Sequence, residues 1–106
     1  MIESDSNHAP TALELNQETA RIPWRELQRF FARGVTVAVE PELDLLAVAS
    51  EIAGDNKAAV AAWMQAGQVG VVSDLLAQQW LDADAEVWSV VVKPWVLVQV
   101  VVEVQD

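Results

Sequence analysis

Apolar residues recur at helical spacing through the first two thirds of the chain and at every second position near its end. From Thr11, the residues Ala12, Leu15, Thr19 and Ile22 share one face, which predicts a helix. Pro23 ends that helix and opens the next, because proline is tolerated at a first helical position. Trp24, Leu27, Phe30 and Phe31 form one apolar face of a helix running to Arg33, with Gly34 as its C-terminal cap. Val35, Val37 and Val39 alternate with Thr36, Ala38 and Glu40, the pattern of a half-buried strand.

Asp44 is placed to cap a helix whose inner face is Leu45, Val48, Ala49 and Ile52. Gly54-Asp55-Asn56 breaks it. Asp55 then caps a second helix carrying Val60, Trp63 and Met64 and closed by Gly67. Val69 to Val72 reads as a short strand, and Ser73 or Asp74 caps a helix with Leu76, Trp80 and Leu81 inward. Asp82, Asp84 and Glu86 oppose a helix C-terminus electrostatically, so they are assigned to a loop. Trp88, Val90 and Val92 then alternate with Ser89, Val91 and Lys93. Beyond Pro94, Val96, Val98, Val100, Val102 and Val104 share one strand face, and Trp95, Leu97, Gln99, Val101 and Glu103 share the other. Pro94 cannot donate to a ladder and marks a bend, bulge or edge. The element order predicts an α+β fold, with helices packed on a small mixed β-sheet. Met1 to Pro10 are polar and unpatterned and are expected to form a mobile tail, leaving residues 11–106 as a single domain.

Composition narrows the chemistry. A chain of 106 residues suits one domain, and a hydrophobic fraction of 53% argues against global disorder. There is no cysteine and no tyrosine, and the one histidine is His8. Disulfides, thiolate metal sites and thiol nucleophiles are therefore excluded, and no catalytic residues and no cofactor are assigned. A net charge of −10 repels phosphate backbones and anionic lipid heads, so no nucleic-acid or membrane partner is expected. The N-terminus lacks the basic and apolar regions of a secretory signal, and a cytoplasmic location is expected. The run from Val87 to Val104 is broken by Ser89, Lys93, Pro94, Gln99 and Glu103, whereas a membrane helix needs about 20 predominantly apolar residues.

Three stretches carry a resemblance: ETARIPWRELQRFFARG, ELDLLAVASEIAGDNKAAVAAWMQAG and VWSVVVKPWVLVQ. Together they resemble the domain-of-unknown-function family numbered 2288, from about Leu13 to Gln99. Ile22-Pro23-Trp24 and Pro94-Trp95-Val96-Leu97-Val98-Gln99 are the most distinctive pieces. The resemblance implies a compact bacterial cytoplasmic domain and brings no activity, ligand or catalytic residue with it.

Four constellations are candidates for function. Arg21, Arg25, Arg29 and Arg33 recur four apart and supply four of the six basic residues. They form either an anion or acidic-partner site or a solvated face, and the second is favoured because charge rows on helices usually serve solubility. Of the five tryptophans, Trp24, Trp63 and Trp80 sit on apolar helix faces and are assigned to the core. Trp88 and Trp95 flank Pro94 and are better interface anchors. Ala49 to Trp63 resembles a helix-turn-helix, but its second helix offers only Asn56, Lys57 and Gln65 among alanines, with no arginine to read guanine. The acid clusters Glu40, Glu42, Asp44 and Asp82, Asp84, Glu86 match no calcium-loop pattern and read as solvated loop acids.

The reading that follows is a small non-enzymatic cytoplasmic module acting through a protein partner or self-association. The alternative is a small-molecule or anion-binding protein that uses the arginine strip and nearby tryptophans. A weaker third is a carboxylate-dependent enzyme. Binding is assigned to Arg25, Arg29, Arg33, Trp88, Trp95 and Leu97. The long valine-rich C-terminal strand has an apolar second face in Trp95, Leu97 and Val101, which predicts a homodimer with that strand at its interface. No metal site is assigned, and calorimetric titration with zinc, magnesium and calcium is expected to show nothing tighter than about 10⁻⁵ M. A stoichiometric micromolar site lost on changing Asp82 and Asp84 would contradict that assignment.

Overall fold

A computed structural model describes residues 19–102. The expected tail, most of the expected first helix and the last four residues lie outside that range. The chain runs through β1 (Ala20–Pro23), a 3-10 turn (Trp24–Leu27), α1 (Gln28–Ala32), β2 (Thr36–Val39), α2 (Leu45–Ala53), α3 (Lys57–Gln65), β3 (Val69–Val71), α4 (Asp74–Asp82), β4 (Glu86–Val92) and β5 (Trp95–Val100). The strands form one mixed sheet in the order β1-β4-β5-β2-β3, in which only β2 and β5 are parallel. The fold is α+β, with helices on both faces of the sheet.

One face carries α2 and α3. Val37, Val39, Val69, Val90 and Leu97 meet Leu45, Val48 and Ala49 there, with Ile52 and Trp63 packed alongside. The other face carries the 3-10 turn, α1 and α4. Trp24, Leu27, Ala77 and Trp80 pack there on Val87, Val96 and Val98. Trp24 is fully buried and meets Phe31 and Trp80 edge-on, at centroid distances of 5.8 and 5.0 Å. Its indole N–H donates to the Ala77 carbonyl at 3.2 Å, so burying this ring strands no donor.

The four helices end alike. After α1, the Gly34 N–H bonds the Phe31 carbonyl and the Val35 N–H bonds that of Phe30. The same pair of bonds recurs at Asp55, Gly67 and Asp84, each with positive φ. This is the left-handed C-terminal motif that satisfies the last helical carbonyls. Gly34 was expected in that role from sequence. Asp55, expected as a cap of the next helix, ends the previous one instead, and the cap of α3 is Asn56, whose side chain accepts from the Ala59 N–H.

Four sequence expectations change. Ala20 to Ile22 are strand, not helix: a residue before proline avoids the helical region, and β4 offers a partner, with Ile22 opposite Val87. β2 is buried on both faces rather than one, because it lies inside the sheet with helices above and below. Of the three acids assigned to a loop, Asp82 ends α4 and Glu86 opens β4. The C-terminal strand stops at Val100, and it is the central strand, paired with β4 on one side and β2 on the other. Both of its edges are paired within its own chain and Val96, Leu97 and Val98 are buried, so this strand has no free edge, and no apolar face at Leu97, to offer a dimer.

Among the described residues one buried side-chain polar atom has no partner. Thr36 is fully buried and its hydroxyl makes no hydrogen bond. An unsatisfied hydroxyl costs about 1–3 kcal/mol, so Thr36→Val is expected to stabilise the protein by about 1 kcal/mol. Denaturant unfolding checks this, and a loss of stability would show that the hydroxyl is paired in solution.

Candidate binding groove

An apolar concavity lies between α3 and β3. Asn56 starts α3, and the turn at Gly67 (φ 75) sends the chain straight back into β3, so helix and strand lie side by side. Trp63 turns from α3 toward the core and fastens the helix to the sheet. The rest of the helix is poor in bulk, with Ala58, Ala59, Ala61 and Ala62. Small side chains on a helix beside a sheet leave space unfilled. The result is a groove of about 320 Å³ lined by Val60, Ala61 and Met64 of α3, Val69 and Val71 of β3, and Trp95 of β5, among others. Asp55, Asn56 and Lys57 stand at its rim. Met64, Val71 and Trp95 are exposed.

Beside the groove runs an open strand edge. Among the described residues β3 pairs only with β2, in the register Val37 to Val71, Ala38 to Gly70 and Val39 to Val69. The ladder is continued at its ends by Glu40 N–H to Gln68 O (2.9 Å) and Val72 N–H to Thr36 O (3.0 Å). Inward bonds alternate along an antiparallel strand, so Gly70 faces β2 while Val69 and Val71 aim their N–H and C=O groups outward. From Gln65 to Ser73 the chain carries no charged residue.

The residues singled out from sequence are dispersed. Arg21 lies on β1, not on a helix. Its Nε donates to Glu86 Oε1 at 2.7 Å, and its guanidinium stands 5.6 Å from the Trp88 ring. Arg25 donates to Asp84 Oδ1 at 2.6 Å, with both side chains largely exposed. Arg29 stacks on Phe30 at 5.0 Å, and Arg33 is exposed at the end of α1. None of them lines the groove. The helix expected to carry Arg25, Arg29 and Arg33 is interrupted, because Arg25 is in a 3-10 turn with a different period, and Arg21, expected on the preceding helix, is in a strand. Trp88 and Trp95 are each 36% exposed, opposite Gln99 and Val92 respectively, toward opposite ends of the β4–β5 pair. Only Trp95 reaches the groove.

Leu97 is a correction. It is fully buried at the centre of the sheet, under α2, and has no surface to bind with. Gln99, beside it on the same face, donates to the Glu40 and Leu43 carbonyls at 2.8 and 2.7 Å, tying down the loop before α2. Asp44 of the first acid cluster caps α2, accepting from the Leu46 and Ala47 N–H groups. Among the described residues no group of three or more acids or histidines is arranged to hold a metal. No helix among them is long and apolar enough to cross a membrane. Sequence reasoning missed Val71, Gly70 and Met64 as site residues. The available signal was the uncharged stretch between α3 and α4, too short for periodicity to register. The arginine geometry, exposed and locally paired, predicts that Arg29→Ala costs at most about 0.5 kcal/mol in denaturant unfolding. A larger loss would mean that Arg29 holds a partner the geometry does not contain.

Comparison with known proteins places the fold in a group. No curated protein matches the chain. A solved structure described as the NMR solution structure of PA1075 from Pseudomonas aeruginosa is 42% identical, covers 95% of both chains and superposes with a TM-score of 0.78. The sequence model of a protein family of unknown function, DUF2288, matches residues 11–100. The chain belongs to the DUF2288 family, whose function is unknown.

Proposed function

We propose that this protein is a small cytoplasmic, non-enzymatic module that acts by contact with another protein chain along α3 and β3. The observation that carries the reading is the meeting of an apolar groove with an open strand edge on one side of the molecule. A groove supplies area to bury, and the edge supplies directional N–H and C=O groups that fix the register of an extended segment. Exposed Met64 suits such a surface, since an unbranched thioether adapts to what it meets. Catalysis by paired carboxylates finds little support there, because Asp55 is the only acid lining the groove. The arginines favour no anion site either, since Arg21 and Arg25 are engaged with acids.

Position-specific photo-crosslinking tests the reading. A photoreactive residue at Met64 is expected to capture a protein chain in the native cell, while the same group at exposed Gln78 on α4 captures none. Equal capture at both positions, or none at Met64, would overturn it.

A further inference from the structure

The open edge of β3 is shaped for pairing with itself. Val69 and Val71 point their backbone groups outward, with Gly70 between them turned inward. A two-fold axis through Gly70 sets Val69 of one copy opposite the partner's Val71, and the reverse. Each such pair can then exchange both of its N–H···O bonds, while the two Gly70 residues meet as the close, non-bonded pair of an antiparallel ladder. Gly70 has no side chain to obstruct that approach, and nothing lies within 4 Å of where its Cβ would be. We propose that the partner is a second copy of this chain, joined edge to edge through β3 into one continuous sheet. This rests on the reading above and names its occupant.

Charge favours a second copy. Two chains of −10 repel each other, and a neutral contact adds least to that repulsion. The stretch Gln65 to Ser73 carries no charge, and the groove rim carries one acid and one base, Asp55 and Lys57. A two-fold interface presents the same patch to itself, so a neutral patch is what it requires. The three most exposed large apolar side chains apart from Val102 lie along the same border. Val71 and Met64 line the groove, and Leu75 follows in the first turn of α4. In the paired arrangement both copies of the groove open on the same face of the joined sheet, with Met64 of each copy near the junction. The other edge offers less. β1 carries Arg21 and ends in Pro23, and charge and proline both discourage edge pairing.

Sedimentation velocity on the full chain, across a range of concentrations, reads the result. A species of twice 11.6 kDa is expected to grow with concentration. It is also expected to grow with added salt, which screens the repulsion between two acidic chains. Val71→Pro removes an outward N–H and leaves the inward bonds of Gly70 and Val72 intact. Val71→Lys places a charge on an already exposed side chain. Each is expected to weaken association about tenfold or more while circular dichroism stays unchanged, and the lysine variant decides the matter if the proline variant fails to fold. In the parent, the Val69 and Val71 amides are expected to exchange slowly with solvent at high concentration and fast on dilution. A monomer at every concentration overturns the second copy, as does a dimer that the lysine variant leaves unweakened. If Met64 crosslinks to a different chain while the purified protein stays monomeric, the self-pairing fails and the groove reading survives. If Met64 captures nothing, both fail.

Discussion

The sheet depends on where β5 sits. Without it, β1–β4 and β2–β3 are two separate antiparallel ladders, each too small to stand in water alone. β5 joins them, running antiparallel to β4 and parallel to β2. Val96, Leu97 and Val98 are almost wholly buried as a result, each side chain contributing on the order of 1.5–3 kcal/mol. The join is long-range in sequence, since β5 pairs with a strand about sixty residues earlier. Such pairing forms only after much of the chain's entropy has been given up.

A central strand buried on both faces requires helices on both, and the connections supply them. The path from β1 to β2 lays the 3-10 turn and α1 on one face, and the path from β3 to β4 adds α4 to it. The excursion between β2 and β3 lays α2 and α3 on the other. Trp24 anchors the first group, filling the space between Phe31 and Trp80 with its one polar atom satisfied. The recurrent left-handed helix ends let each helix turn sharply into the next element, so short connections suffice.

The same economy leaves the β3 side unfinished. α3 is rich in alanine, β3 is short, and among the described residues no strand lies beyond it in the sheet. The acids of this strongly acidic chain are spread over caps, ion pairs and exposed positions, while the segment from Gln65 to Ser73 is kept neutral. An apolar groove beside an uncharged edge is what remains when packing ends before the surface is covered, and it is where the molecule has most to gain from contact.

The sequence by itself determined the elements and their class. Residues between Trp24 and Val100 carry their own periodicity, caps and glycine stops, so helices, strands and the α+β arrangement follow from local rules. The inward tryptophans were legible for the same reason, because an apolar face at helical spacing has to be buried. What only the tertiary structure decided is which strand lies beside which. Leu97 and Val71 look alike in sequence, each an aliphatic residue in a valine-rich run. One is wholly buried and the other 57% exposed, because β5 was inserted between two ladders and β3 was left at the rim. Alternation tells which side chains share a face. It does not tell whether a strand has neighbours, since backbone pairing is made by groups common to every residue. The arginines are dispersed for a related reason: spacing of four is periodic only on a helix, and Arg21 was drawn into a strand by a partner more than sixty residues away.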